Sequence, residues 1–308
     1  MSGRIGEITV MAEKDLKNER LMKAVRALHT MMERDDLEKY RHSQENLGKL
    51  FGTEKQVLYQ SLTVGTIPAE WVSVNRRHMK KYIILYCHGG GYFTGNLQYA
   101  RTLTTKLAMS TSMDVLSFNY RLAPEHPWPA ALEDAEAVWN HLMYQGYGSR
   151  DIIVAGDSAG GNLALALTLK LKEEERLLPR GLVLMSPWTD LTLSGKSHQS
   201  KAAVDPVLNQ AYLEKAISYY AEGQDLKNPL ISPLFGDFTG FPPVYIQCGR
   251  NEILLNDSVS LCRRLCAANV LCRLNTYRGM WHVFQMSPFK NAYDAMDQIA
   301  EYVFDICR

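Results

Sequence analysis

Residues 152–162 read Ile-Ile-Val-Ala-Gly-Asp-Ser-Ala-Gly-Gly-Asn. The opening run is apolar and β-branched, as expected of a strand covered on both faces. An apolar helical pattern then runs from Ser158 to Leu171. At the junction, Gly156-Asp157-Ser158-Ala159-Gly160 matches Gly-x-Ser-x-Gly. In a sharp strand-to-helix turn the glycines avoid steric clash and the serine hydroxyl projects from the top of the sheet. The helix N-terminus adds N–H groups and a dipole that favour developing negative charge. Taken alone the motif is weak, because a plain glycine-rich turn matches it by chance. Its context decides its weight.

Outward from this turn the chain alternates. Tyr82–Cys87, Asp114–Phe118, Ile152–Ala155, Leu182–Met185, Val244–Cys248 and Cys272–Tyr277 read as strands. Gln98–Ser110, Ala130–Tyr144, Ser158–Leu171, Asn256–Ala268 and Tyr293–Ile306 read as helices. Repeated strand–helix units predict an α/β architecture, a mostly parallel sheet flanked by helices on both faces. Ahead of them lie a helical pattern over Asp15–Leu50 and two strand-like runs, Gln56–Val64 and Ala69–Val74, with Gly65 and Pro68 between them. A long segment separates Met185 from Val244. Its helical stretch Pro206–Ala221 follows a strand's C-terminal end, so it is expected over the ligand side of the sheet as part of a lid.

The chain has 308 residues, 46% of them hydrophobic and 22% charged, with a formal net charge of +1. That suits one large core. It gives no strong pull toward nucleic acid or an anionic membrane, and neither is an expected partner. The N-terminal residues lack the apolar run of a signal peptide and no stretch has the length of a membrane span, so the expected compartment is the cytoplasm. The six cysteines form no Cys-x-x-Cys pair, and reduced thiols are expected. No His-Glu-x-x-His or similar ligand cluster occurs, so the sequence does not point to a metal hydrolase.

His88-Gly89-Gly90-Gly91-Tyr92 directly follows the strand Tyr82–Cys87. Adjacent glycines let backbone N–H groups converge. With Ala159 N–H, Gly89, Gly90 and Gly91 are expected to form an oxyanion hole. A flexible loop or a phosphate-binding turn is the alternative, the latter without the usual Lys-Ser/Thr ending. A serine needs a base, and among the eight histidines His282 is best placed, in a loop after the strand Cys272–Tyr277. His88 competes, though its position suits bracing the glycine loop. His29, His42, His78, His141 and His198 fall in helices or polar loops and read as surface or capping residues. The acid belongs after the strand Val244–Cys248, where Glu252 and Asp257 compete. Glu252 is favoured because it lies in the loop itself.

Together these motifs resemble the hormone-sensitive-lipase-like carboxylesterases of the α/β-hydrolase superfamily. Residues 120–131 (Tyr-Arg-Leu-Ala-Pro-Glu-His-Pro-Trp-Pro-Ala-Ala), Ser186-Pro187-Trp188-Thr189-Asp190 and Gly279-Met280-Trp281-His282 are further blocks of the same character. The resemblance covers nearly the whole chain from the first of these strands. It implies an α/β-hydrolase fold and hydrolysis of short-chain carboxylic esters without a cofactor. It assigns Ser158 as nucleophile, His282 as base and, by position, Glu252 as acid. The acid loop departs from the family's commonest Asp-Pro-Leu-x-Asp, reading Glu252-Ile253-Leu254-Leu255-Asn256-Asp257. It further implies a helical cap, made of residues 1–52 and an insertion at 195–223, on a catalytic core of residues 53–194 and 224–308.

Tyr92, Phe93, Trp188, Trp281 and Phe284 are candidate walls of a substrate pocket, with core packing as the equal alternative. The expected partner is a small-molecule ester. The apolar end of the last helix (Val303, Phe304, Ile306) suits packing either on the core or on a second copy in a homodimer. An amidase using the same three residues and a non-catalytic binding protein are the rival readings.

Overall fold

The protein is described by a computed structural model covering residues 7–11, 22–27, 29, 36–51, 54–76 and 81–308. The rest of the expected helix over Asp15–Leu50, including Leu21, Leu28, Met31 and Met32, lies outside the described residues. Residues 22–27 are helical, and helix α1 spans Leu37–Phe51.

Nine strands form one sheet. They are β1 (Glu7–Met11), β2 (Val57–Val64), β3 (Ile67–Val74), β4 (Ile83–Cys87), β5 (Asp114–Phe118), β6 (Ile152–Asp157), β7 (Gly181–Met185), β8 (Val244–Gly249) and β9 (Cys272–Tyr277). Their spatial order is β1-β9-β8-β7-β6-β4-β5-β3-β2. The pairs from β5 through β1 are parallel, and β3 pairs antiparallel with both β5 and β2. This is an α/β-hydrolase fold. Every residue of β4, β5, β6, β7 and β8 is buried, which explains their unbroken apolar reading.

Five longer helices cover the two faces: α2 (Leu97–Thr111), α3 (Ala130–Tyr144), α4 (Ala159–Glu173), α7 (Leu255–Ala267) and α8 (Lys290–Cys307). Ile83, Leu85 and Val154 point into one core layer with Leu132, Trp139, Leu163 and Leu261, from α3, α4 and α7. Ile84, Tyr86 and Ile153 point the other way, onto Leu103 and Leu107 of α2 and Ile299 and Val303 of α8. The period-two alternation along each strand thus fills two separate layers. Val303 and Ile306 of the last helix pack on this second layer, while Phe304 is partly exposed.

Two details differ from the sequence reading. Glu7–Met11, ahead of the helical pattern over Asp15–Leu50 and not singled out as a strand in the sequence, is a strand paired in parallel with β9. So short a run carries little local signal and is held by its neighbour's ladder. Pro68 lies inside β3, opposite Thr63, and the turn is at Gly65 and Thr66.

Between β7 and β8 lie the short helix α5 (Ser197–Ser200) and helix α6 (Gln210–Tyr220). Leu213, Ala216 and Tyr220 of α6 are buried in the first core layer. Arg41 of α1 donates to the carbonyls of Phe93 (2.9 Å) and Ala123 (2.9 Å), which docks α1 on the loops after β4 and β5. The chain leaves β4 for β5 on one side and returns to β6 on the other. The C-terminal ends of β4 and β6 therefore flank a switch point, where open α/β sheets bind ligands.

Candidate active site

β6 ends at Asp157 and α4 begins at Ala159, so Ser158 alone turns the chain, with φ 52° and ψ −120°. A side chain rarely adopts this backbone, and it persists where the surroundings impose it. Ser158 N–H donates to Met185 O (2.9 Å), and its carbonyl accepts from Trp188 N–H (3.1 Å) and Asn162 N–H (3.2 Å). The flanking glycines are required by contact. A Cβ on Gly156 would lie 2.3 Å from Gly160 O, and one on Gly160 would lie 2.1 Å from Cys87 O.

His282 reaches in from the loop after β9, and its Nε2 lies 2.9 Å from Ser158 Oγ. Both side chains are nearly buried, at 6% and 8% exposure. Burial pushes the imidazole pKa down to about 3, and nearby His29 adds to the shift. The ring is therefore neutral near pH 7, the form that can accept the serine proton.

Glu252 lies behind it, fully buried, with Oε2 at 3.9 Å from His282 Nδ1. That is an ion-pair distance and longer than a hydrogen bond. Oε2 accepts instead from Ser186 Oγ (2.8 Å) and Gly249 N–H (3.2 Å), and the Ser186 hydroxyl accepts from Val283 N–H (3.1 Å). One hydroxyl thus joins the ends of β7, β8 and β9. Burial raises the Glu252 carboxyl well above the usual carboxylate range. The Ser186 hydrogen bond opposes this, and the like charge of Asp205 reinforces it.

Asp257, the other carboxylate considered, faces elsewhere. Its Oδ1 accepts from Thr189 N–H (2.8 Å) and Asp190 N–H (3.0 Å), and its Oδ2 lies 3.4 Å from His198 Nε2. His198 corrects the sequence reading: it is buried at 4% exposure rather than on the surface, because this carboxylate partners it inside. His88 braces the glycine loop as its position suggested, with Nδ1 2.8 Å from Gly89 O and its ring stacked on Tyr120 at 4.1 Å.

The loop after β4 departs from expectation at one residue. Gly89 N–H donates to Asp157 Oδ1 (2.8 Å), so it is not available to a substrate oxygen. Gly90 and Gly91 adopt φ 112° and 62°. Their N–H groups and that of Ala159 meet no protein acceptor among the described residues. Asp157 also accepts from Tyr86 OH and from Tyr99 OH (2.7 Å), so the variable second position of the serine motif fastens the glycine loop to β6.

The five aromatic residues named as candidate walls are engaged chiefly in packing. Tyr92 is fully buried, donates to Asn162 Oδ1 (2.7 Å) and stacks on Tyr220 at 3.7 Å. Phe284 packs on Tyr277 at 4.7 Å. Trp188 is held by its backbone bond to Ser158. Phe93 meets Tyr40 of α1 and Tyr212 and Tyr219 of α6, while Trp281 shares a cluster with Met22 and Val25. Phe93 thus meets both α1 and α6, and the cluster of Trp281 also takes in Val207 of the 195–223 segment. Sequence reading missed Ser186 and Asp157 as functional partners. The only signal was their place within recognised motif blocks.

A family model described as alpha/beta hydrolase fold matches residues 84–286. An esterase of Acinetobacter venetianus is 38% identical over 262 residues, covering 84% of this chain and 86% of that protein. An acetyl-hydrolase of Streptomyces hygroscopicus is 37% identical over 245 residues, 80% of each chain. Among solved structures, a hormone-sensitive lipase from a metagenome library superposes with a TM-score of 0.90 at 35% identity, covering 96% of this chain and 100% of the other. An esterase of the bacterial hormone-sensitive lipase family superposes with a TM-score of 0.89 at 32% identity, over 95% and 98%. With the serine turn and the glycine loop at adjacent strand ends, and with relatives of this identity along most of its length, the chain belongs to the hormone-sensitive-lipase-like carboxylesterases of the α/β-hydrolase superfamily.

Proposed function

We propose that the protein hydrolyses short-chain carboxylic esters through an acyl-enzyme formed on Ser158. The observation that carries this reading is the 2.9 Å contact between His282 Nε2 and Ser158 Oγ at a strained turn. His282 takes the serine proton as the hydroxyl attacks the ester carbonyl, then delivers it to the departing alcohol. Water repeats the cycle on the acyl-enzyme. Glu252 stabilises the imidazolium formed in both halves. The N–H groups of Gly90, Gly91 and Ala159 receive the oxyanion. Helical residues 22–27, helix α1 and the 195–223 insertion act as the cap that excludes water, with Phe93 and Trp281 beneath them. The names acetyl-hydrolase and esterase among the relatives support a small acyl group.

The test is hydrolysis of p-nitrophenyl esters from acetate to decanoate by the wild type and Ser158→Ala. The expected result is activity concentrated on the short chains that falls by ~10³-fold or more in the variant. A wild type inactive on every chain length, or an active variant, would overturn the reading.

A further inference from the structure

Glu252 sits on the short connection between β8 and α7, and the residue after it is gripped from outside the core. Ile253 N–H donates to Asp205 Oδ2 at 2.7 Å, and Ile253 C=O accepts from Ser197 Oγ at 2.6 Å. Ser197 continues along the loop: its hydroxyl accepts from Asn256 N–H (2.9 Å), and its own N–H donates to Asn256 Oδ1 (2.8 Å). Both Ser197 and Asp205 belong to the 195–223 insertion, and both are buried.

Asp205 is also tied on its other side. Its Oδ1 accepts from Val207 N–H (2.8 Å) and Leu208 N–H (3.0 Å) and so fixes the turn leading to α6. The carbonyls of Ala203 and Asp205 accept from Arg26 Nη2 at 2.8 Å and 3.1 Å, which brings in helical residues 22–27. A buried carboxylate is costly unless its oxygens are paired. Here three backbone N–H groups pair it, and one of them belongs to the peptide directly after Glu252.

We infer that the 195–223 insertion is a positioning element for the catalytic acid, acting through Asp205 and Ser197, which hold the two ends of Ile253. The triad is then fully assembled only when the insertion is seated on the core, and contact between the insertion and residues 22–27 is transmitted to Glu252 through Arg26 and Asp205. Neither residue touches the reacting atoms. Their effect is on where the Glu252 carboxylate stands behind His282. The inference rests on the reading of Glu252 as the acid.

The experiment measures kcat and KM for p-nitrophenyl butyrate at 25 °C in Asp205→Asn, Ser197→Ala, Ser197→Thr and Glu252→Gln. Folded protein is counted by circular dichroism, with a thermal melt on each variant. A small displacement of a catalytic group costs up to ~10²-fold in rate. Asp205→Asn and Ser197→Ala are therefore expected to lower kcat by about 10- to 100-fold with KM within about twofold. Ser197→Thr keeps the hydroxyl and recovers most of that loss. A role in stability alone would lower the melting temperature and leave kcat per folded molecule unchanged. Should Glu252→Gln keep full kcat, the acid assignment itself fails. Should Glu252→Gln lose kcat while folded Asp205→Asn and Ser197→Ala retain it, the positioning role is overturned. If Asp205→Asn does not fold, the Ser197 pair decides alone, and an unchanged kcat in Ser197→Ala overturns the inference.

Discussion

Replacing Glu252 by glutamine isolates the charge behind His282. The amide has nearly the same volume, and its oxygen can still accept from the Ser186 hydroxyl, which lies 2.8 Å from Oε2 in the wild type. What disappears is the attraction between a carboxylate and the imidazolium that forms when Ser158 attacks. The atoms that carry these charges in the transition state, Glu252 Oε2 and His282 Nδ1, are 3.9 Å apart. With an effective dielectric constant of ~20, Coulomb's law gives about 4 kcal/mol at that separation. Since each 1.36 kcal/mol is tenfold in rate, kcat should fall on the order of 10³-fold. KM should change little, because the lost interaction appears mainly in the transition state. The assay is initial-rate hydrolysis of p-nitrophenyl butyrate, with Asp257→Asn measured alongside. Asp257 faces His198, so its variant should lose no more than a few-fold in kcat, with its cost appearing as lower thermal stability. A Glu252→Gln enzyme within tenfold of wild type would refute the reasoning. So would an Asp257→Asn enzyme that collapses by 10³-fold.

Three further outcomes follow from the same geometry. In Gly160→Ala the new Cβ would meet Cys87 O at 2.1 Å and His88 O at 2.5 Å, both backbone atoms with no rotamer to relieve them. The variant should lose about 1–3 kcal/mol of stability and at least tenfold in kcat, and a wild-type melting curve would contradict this. Asn162 donates to Trp188 O (2.8 Å) and Ile231 O (3.0 Å) and accepts from Tyr92 OH (2.7 Å), all buried. Asn162→Leu should therefore cost at least about 2 kcal/mol in urea denaturation, since it leaves these groups unpaired. Burial lowers the His282 pKa, so the base stays neutral below the range of free imidazole and activity is lost only as pH falls through the folded value. The acid limb of kcat/KM should lie below ~6.5, the unperturbed histidine value, and a limb at or above it would count against a buried neutral base.

What the sequence disclosed follows how locally each feature is determined. β4, β6, β7 and β8 are readable because every residue in them is buried, which leaves continuous apolar runs. Ser158 is readable because its turn needs glycine at fixed offsets, and Gly156 and Gly160 meet each other directly. His282 follows from its place after the last strand. β1 is not readable in the same way, since so short a run depends on β9 for its conformation. Ser186 and Glu252 are 66 residues apart and Asp205 and Ile253 are 48 apart, so neither pairing leaves a mark at short range. Gly89 shows the converse limit. The glycine run foretold converging N–H groups, but only the fold shows that Asp157 takes one of them.

The proposed nucleophile and the proposed acid are therefore held by different kinds of constraint, and this bears on the glutamate that stands where the resemblance leads one to expect an aspartate. Ser158 is fixed by hard contact: Gly160 stands against the backbone of β4, and almost any change there forces atoms together. Glu252 is fixed by hydrogen bonds from Ser186 and Gly249, and its loop is fixed by hydrogen bonds from Asp205 and Ser197. Hydrogen bonds tolerate a few tenths of an ångström and a change of angle far better than overlapping atoms do. A glutamate, one methylene longer than the commoner aspartate, can thus be accommodated behind the same histidine by a shift of loop and partners. No comparable freedom exists at the serine turn. On this account the carboxylate position is set by the ends of β7 and β8 together with the 195–223 insertion, and the serine position by the sheet, α4 and the loop after β7, without the insertion. Substitutions in the insertion should then alter how well Ser158 is activated without moving Ser158 itself.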